Sequence, residues 1–432
     1  MKLIIKNGRV LNPATKQDAV MDVMIENSKI LQVGSDHAST TEETDEQVQV
    51  IDASGCFVMP GFVDLHVHFR DPGLTYKEDI ATGARAAARG GVTTVCAMPN
   101  TKPVVDCVET LDYIQKKAAE TAPIHVEQLS AITVGQNGTE LVDMKAMTEK
   151  GAIAFSEDGK SVMDILLYAE AMKQAAELGA VVMAHCEDKA LVRGGVLNEG
   201  VASEKFGVPG ITNSVEDVIT ARDIFLANDY GTKLHLCHCS TAGSVELVRM
   251  AKNMGIPVTA EVCPHHFTLT DGDIDKEDAN YKMNPPLRSE KDVQALIKGL
   301  QDGTMEVIST DHAPHSAEEK AKGFLESPFG IVGLETSASL TYTALVATGI
   351  LTPMQMAEKM SWNPAKVIGI DGERGSIEAG KLADLVIFDP DAEYTVDVNE
   401  FASKGRNTPY NGKQLMGRVR MTICEGKIVY QL

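Results

Sequence analysis

Apolar and polar positions change rhythm twice along the 432-residue chain. In the first 50 or so residues, KLIIKNGRVLN, AVMDVMIENSKILQVG and VQVIDASGCFVMP alternate apolar with polar positions, and Asn-Gly and Asn-Ser supply turns. This pattern predicts strands. HASTTEETDEQ (37–47) is polar and acidic, and is expected to be a solvated hairpin loop. From Gly61 short apolar runs alternate with stretches of helical period. Eight runs stand out: GFVDLHVHF, GVTTVCAMP, IHVEQLSAI, GAIAFSED, AVVMAHCED, TKLHLCHCS, IPVTAEVCP and MEVISTDHAP. KEDIATGARAAARG, SVMDILLYAEAMKQAAELG and SVEDVITARDIFLAND lie between them with helical spacing, and several such stretches open on a capping residue and close at glycine. After about residue 365 the strand pattern returns in GSIEAGKLADLVIFDP and GRVRMTICEGKIVYQL.

Eight strands in strict alternation with helices predict an α/β protein built on a (β/α)₈ barrel. A doubly wound sheet would give the same alternation but would not explain what the strand ends carry. The two flanking strand-rich segments match in composition and period. They are expected to form one small β-sandwich domain from both chain termini, 1–57 plus 365–432, with the barrel at 58–364 inserted between them.

Chemistry concentrates at the predicted C-terminal strand ends, the rim where barrel active sites form. Side chains at i and i+2 of a strand share a face, so His66 and His68 in PGFVDLHVHFRDPG (60–73) project together. Two imidazoles at a barrel mouth suit one metal ion, although a lone H-x-H also fits a hydrogen-bonded pair. Other ends add ligand types: Ser156-Glu157-Asp158 in the fourth run, His185 in the fifth, His238 in the sixth and Asp311 in the eighth. Cys237 and Cys239 flank His238 like a thiolate site, but alternation sends them to the other face with His235, where they are expected to pack as small hydrophobes. His125 opens the third run, away from the rim, and reads as structural. His265 and His266 follow the seventh run, and nothing in their spacing singles them out. Asp311 by itself also fits a helix cap, and Arg70 a salt bridge to Asp71 or Glu78.

The formal net charge is 40 − 61 = −21, which argues against nucleic-acid or anionic-membrane partners. No run approaches the roughly 18 apolar residues of a membrane helix. No secretory signal is expected from Met1-Lys2-Leu3-Ile4-Ile5-Lys6. The eight scattered cysteines read as reduced, buried thiols of a cytoplasmic protein.

PGFVDLHVHFRDPG, MPNTKPVVD (98–106), MNPPLR (283–288), TDHAPH (310–315) and GSIEAGKLADLVIFD together resemble the amidohydrolase superfamily, and within it the bacterial class I dihydroorotases. The resemblance covers essentially the whole chain. It implies the barrel-plus-sandwich fold and reversible hydrolysis of the ring amide of (S)-dihydroorotate to N-carbamoyl-L-aspartate, in pyrimidine biosynthesis. It implies one or two zinc ions, two being favoured, held by His66, His68 and Asp311 on one side and His185 and His238 on the other. Many relatives bridge the two ions with a carbamylated lysine. Here the fourth strand ends Ser156-Glu157-Asp158, so Asp158 is the expected bridge, and Lys160 is the only lysine nearby.

By the same resemblance Asp311 carries the proton from the attacking water to the departing ring nitrogen. Arg70 clamps the substrate carboxylate with Asn100 and His315, and Asn284 with the Phe329-Gly330 turn holds the ring; His68 also borders the substrate. The segment 312–327 fits a lid or, preferably, an exposed loop with His315 as its one ligand. A homodimer is expected from relatives, and association with aspartate transcarbamoylase is compatible with the resemblance. The alternatives are another cyclic amidohydrolase, a hydantoinase or allantoinase, and more remotely a metal-free scaffold for that transcarbamoylase. The missing lysine together with HFRDPG favours the dihydroorotase.

Overall fold

The computed structural model describes residues 2–34 and 48–432. The polar segment 37–47, expected as a hairpin loop, lies outside the described residues.

The chain opens with β1 (Lys2–Asn12), β2 (Gln17–Glu26), β3 (Lys29–Gly34), β4 (Val48–Asp52) and β5 (Phe57–Pro60). There follow β6 (Phe62–Val67), β7 (Val92–Ala97), β8 (His125–Gln128), β9 (Phe155–Ser156) and β10 (Val181–Ala184). A small pair, β11 (Leu197–Asn198) and β12 (Gly210–Ile211), precedes β13 (Lys233–Leu236), β14 (Val258–Val262) and β15 (Val307–Ile308). The last strands are β16 (Leu385–Thr395), β17 (Gln414–Cys424) and β18 (Lys427–Gln431).

Strands from both ends of the chain bond into one eight-stranded sheet, ordered β18-β17-β16-β5-β1-β2-β3 with β4 added beside β1. The alternating pattern is the cause: Ile5, Val10, Val23, Ile25, Val58, Leu385, Ile387 and Ile423 turn to one side and form a core of their own. Both chain ends thus share one hydrogen-bonded sheet.

The eight central apolar runs each contain a strand, in parallel sheets β6-β7-β8 and β9-β10-β13-β14-β15. Isolated parallel bridges Ser130–Phe155 and Val67–His312 connect the two sheets at both sides. Nearly every residue in β6, β7 and β10 is buried, as expected for strands covered on both faces. Helices predicted from the 3.6 period appear at Ile80–Arg89, Ile165–Leu178 and Ser214–Tyr230. Asp79 caps the first with a capping box and Asp164 caps the second through the Leu166 and Leu167 amides.

The strand-end residues depend on two departures from regular alternation. Pairing of β6 with β7 slips between Asp64 and Val67, so three steps on β6 face two on β7. Leu65 thus packs with Val63, Cys96, Met183 and Val307, while the adjacent His66 joins the ligand cluster. Beyond β13 the backbone turns at His238 with φ 34°. Cys237 consequently packs with Val63 and Leu65, whereas Cys239 joins the core beneath the helices. Both are buried free thiols, as expected, but they do not share a face.

An aromatic group joins the terminal sheet to the rest of the fold. Phe388 of β16 lies 6.4 Å from Phe57 and 5.3 Å from Tyr342, ring centre to ring centre, and is fully buried. Phe388→Ala is expected to destabilise the protein by about 3–5 kcal/mol, through lost burial plus the cavity left behind. Urea denaturation of the two proteins measures this directly.

Candidate active site

Every residue expected at the site except His66 lines one cavity of about 200 Å³: His68, Arg70, Asn100, Asp158, His185, His238, Asn284, Asp311, His315, Phe329 and Gly330. His66 is fully buried beneath it. His66 ends β6, and Asp158, His185, His238 and Asp311 lie just past β9, β10, β13 and β15. The chain must bend sharply there, and Arg70, His238 and Asp311 adopt left-handed φ values of 58°, 34° and 49°. Such backbone is strained for a residue with a Cβ and gathers at functional sites.

The imidazoles converge on two carboxylates. His66 Nε2 lies 3.2 Å from Asp158 Oδ1 and 3.6 Å from Asp311 Oδ1. His68 Nε2 lies 3.1 Å from Asp311 Oδ1 and 3.5 Å from Asp158 Oδ2. His185 Nδ1 and His238 Nε2 approach Asp158 Oδ1 at 3.6 and 3.7 Å. Burial would raise the Asp311 carboxyl, but the His66 and His68 charges outweigh it and hold the group at about 2.

Two features of the cluster suit a metal ion. First, the far nitrogens of the rings are engaged: His66 Nδ1–H donates to Glu261 Oε1 at 3.0 Å and His68 Nδ1–H to Asn100 Oδ1 at 2.9 Å. When the ring is neutral, each bond selects the tautomer whose Nε2 lone pair faces the cavity. Second, His66 Nε2, Asp158 Oδ1 and His185 Nε2 are buried and make no well-aligned hydrogen bond among the described residues, which is costly unless something else satisfies them. The ligand atoms of His66, His68 and Asp311 fall within one compact group, as do those of His66, Asp158 and His238. The donor set of imidazole and carboxylate fits zinc.

Bland readings of these residues do not match their surroundings. Asp71 pairs with Lys117 at 2.6 Å and Glu78 with His312 at 3.4 Å, so neither holds Arg70. The Arg70 guanidinium instead faces the Pro314 carbonyl at 3.4 Å and His315 Nε2 at 3.5 Å. Asp311 caps no helix; the next one starts at Ala317 under Ser316. Lys160 donates to the Gln136 carbonyl at 2.9 Å and does not line the cavity. Asn100, expected beside the substrate, is bonded to His68 and through Nδ2 to Asp158 Oδ2 at 3.3 Å, and it still lines the cavity.

The substrate side is built from loops. His315 Nε2–H donates to the Phe329 carbonyl at 2.8 Å while Nδ1 accepts from Lys77 Nζ at 3.2 Å. Burial and the neighbouring cations push this imidazole down to about 2, so it is neutral. Gly330 has φ 127°, and a Cβ there would lie 2.6 Å from that of Ala313; only glycine fits. Asn284 bonds Glu187. The segment after Asp311 is more ordered than the loop expected: it forms short helices at Ala317–Lys320 and Gly323–Glu326, and buried Lys282 donates to the Phe324 and Ser327 carbonyls.

Other histidines settle outside the cavity. His125 pairs with Asp384 at 3.1 Å, His266 donates to the Pro285 carbonyl at 2.9 Å, and His265 is buried beside it. Glu261 is the residue that sequence reasoning passed over. It is fully buried in β14 and accepts from His66, from His235 Nε2 at 3.1 Å and from the His238 amide at 3.1 Å. Its signal was a charge inside an otherwise apolar run, which buried strands tolerate only when partnered. Asp64 was passed over too; its Oδ1 accepts from the His66 and Thr310 amides at 3.0 and 3.2 Å.

The comparisons with known proteins agree with this geometry. A "Dihydro-orotase-like" family model matches residues 55–244 and an "Amidohydrolase family" model residues 347–430. Among solved structures, L-hydantoinase (dihydropyrimidinase) from Arthrobacter aurescens superposes with a TM-score of 0.90 at 26% identity, covering 99% of this chain and 96% of that one. D-hydantoinase from a Thermus species gives 0.85 at 26%, covering 100% and 96%. Fold and ligand cluster thus define an amidohydrolase, with a barrel and an attached β-domain, of a superfamily whose members are generally metal-dependent. Named dihydroorotases stand nearer: that of Clostridium acetobutylicum is 49% identical over 429 residues, 99% of each chain, and that of Clostridioides difficile 49% over 428 residues, also 99% of each. The chain belongs to the dihydroorotase family.

Glu261→Gln is expected to leave the fold intact and weaken metal binding by about 10- to 100-fold, since an amide cannot accept from two imidazoles as a carboxylate does. Competition with a coloured chelator measures the change.

Proposed function

We infer that the chain catalyses reversible hydrolysis of the ring amide of dihydroorotate to N-carbamoyl-aspartate. One observation carries the reading: a buried histidine–carboxylate cluster and an arginine without a paired carboxylate among the described residues face the same small cavity. The first suits amide hydrolysis and the second a substrate that brings its own carboxylate. The 49% identity to named dihydroorotases over the whole chain supports it. The hydantoinases are similar at 26%, and the strand end that offers Asp158 in place of a lysine separates this chain from a carbamylated site.

In this reading His66, His68, Asp158, His185, His238 and Asp311 would hold the zinc. Zinc when bound acidifies a coordinated water toward a pKa of about 7 and polarises a carbonyl oxygen as a Lewis acid. Asp311 accepts the attacking water's proton as the carbon–oxygen bond forms. It returns that proton to the ring nitrogen as the carbon–nitrogen bond breaks, leaving the free carbamoyl and carboxylate ends. Its position against His68 Nε2 keeps it ionised and ready to accept. Arg70 holds the substrate carboxylate with two donors of its planar fork, and His315 and Asn100 border the same group. Asn284 and the Phe329-Gly330 turn hold the ring, while the 312–327 segment contributes His315 alone among the expected ligands.

The bridges at Ser130–Phe155 and Val67–His312 support closing the eight strands into one (β/α)₈ barrel at 58–364. The strand order supports one terminal domain of 1–57 plus 365–432, laid out as a small sandwich. Eight free cysteines suit the cytoplasm, and no described helix is long and apolar enough to cross a membrane. A homodimer, and association with aspartate transcarbamoylase, belong to the same reading.

Purified protein is expected to interconvert dihydroorotate and N-carbamoyl-aspartate and to lose that activity with its metal on chelation; faster turnover of hydantoin or allantoin would sink the assignment. Arg70→Met should raise KM for dihydroorotate about 10- to 100-fold, the worth of charged hydrogen bonds, with metal content unchanged. Asp311→Asn should lower kcat by about 10²-fold or more. Asp158→Ala should lose metal, and native mass should equal the sequence mass plus bound metal; a mass higher by one carboxyl group, with metal kept in Asp158→Ala, would point to Lys160 instead.

A further inference from the structure

Residues 396–413 join β16 to β17, and their middle leaves the terminal sheet to lie behind the substrate side of the cavity. Asn407 sits there, 4% exposed. Its side-chain oxygen accepts from the His315 amide at 3.0 Å. Its side-chain nitrogen donates to the Ala313 carbonyl at 3.0 Å and to the Gly330 carbonyl at 3.0 Å. Its own carbonyl accepts from the Val332 amide at 2.9 Å. Ala313, His315 and Gly330 all line the cavity, and Asn407 does not.

One planar amide thus grips two loops from outside. The 313–315 segment follows β15, and the 329–330 turn comes after the two short helices; they lie side by side through the Ala313 amide and the Ile331 carbonyl at 2.8 Å. An acceptor for one amide and two donors for two carbonyls must come from one short side chain. Asparagine supplies this set; aspartate lacks both donors and serine has a single hydroxyl. The position of His315 bears on Arg70 as well, since the guanidinium rests against the Pro314 carbonyl and His315 Nε2. On the far side of the turn, Lys320 Nζ donates to the Lys282, Pro328 and Gly330 carbonyls at 3.1, 3.1 and 3.0 Å. The Gly330 carbonyl is therefore held from two directions, while the His315 amide is held by Asn407.

We propose that Asn407 is a positioning residue for substrate recognition: it fixes the spacing between the His315 segment and the Phe329-Gly330 turn, so that Arg70, His315 and the turn meet the ring and carboxylate of the substrate together. The proposal rests on the dihydroorotase reading of the cavity. It assigns part of the recognition site to the C-terminal segment, which contributes no side chain to the cavity.

The test is Asn407→Asp, which keeps the shape and the oxygen facing the His315 amide but sets an oxygen against two carbonyls. Asn407→Ser, which leaves room for water, serves as the second variant in case the aspartate prevents folding. Either is expected to raise KM for dihydroorotate about tenfold while kcat stays within about threefold and metal content is unchanged. Amide hydrogen exchange of each variant should be faster in peptides covering 312–316 and 328–333 and unchanged in peptides carrying His66 and Asp158. Unchanged KM in a folded, metal-loaded variant overturns the proposal, and so does a parallel loss of kcat and metal, which marks general damage. Wild-type protein inert toward dihydroorotate would instead overturn the functional reading, and the exchange comparison still decides whether Asn407 holds the two loops.

Discussion

Glu261 is the interaction on which the site depends. A carboxylate with no exposure would cost several kcal/mol if left alone in a barrel core. Here His66, His235 and the His238 amide satisfy it, and together they outweigh the burial that would raise it, holding it below the usual carboxylate range. The consequences run outward. His66 is locked with its Nε2 toward Asp158 and Asp311, and His238 is held at a left-handed turn. The ends of β6, β13 and β14 are thereby tied at one depth. The same charge explains how several imidazoles can crowd two carboxylates in a buried cluster, because one of the rings is anchored from behind.

Strain and anchorage belong together. Left-handed backbone at Arg70, His238 and Asp311 costs on the order of 1–3 kcal/mol at each position. It persists because the strands beneath are buried on both faces and the bonds at the rim over-determine each turn. The Asp64 carboxylate accepts from the His66 and Thr310 amides, and the His312 amide in turn reaches the His66 carbonyl at 3.3 Å. A regular strand would carry successive side chains to alternate faces and could not bring Leu65 into the core and His66 into the ligand cluster side by side.

Much of this was legible in the chain. Each of the eight apolar runs contains a strand, the helices fall where a 3.6 period put them, and residues chosen from strand ends line one cavity. That success has a physical cause: burial on both faces produces apolar runs, and a ligand at the end of one is conspicuous. What stayed hidden was non-local or irregular. Strict alternation placed Cys237 and Cys239 on one face, but the turn at His238 parts them. Glu261 was visible as a charge in an apolar run, yet its partners come from β6 and the end of β13, which no local pattern connects. The order in 312–327 was missed because it rests on lysine-to-carbonyl bonds from Lys282 and Lys320, which leave no periodic trace.

These two kinds of construction divide the cavity. The metal side is made by strand ends, where each ligand lies within a few residues of a paired backbone and the barrel itself sets the spacing. The opposite side is made by loops joined by a single backbone bridge; their spacing also rests on side chains reaching to backbone carbonyls, from Lys282, Lys320 and Asn407. Such contacts can change by single substitutions without disturbing the ladders beneath. A hydantoinase can therefore share this fold with a TM-score of 0.90 at only 26% identity, because the strands that carry the cluster are constrained by burial. The loops around Arg70 and His315 are the part of the cavity that can vary while the strands beneath stay the same. There a segment from the far end of the chain ties two loops together from outside, through the three side-chain bonds of Asn407.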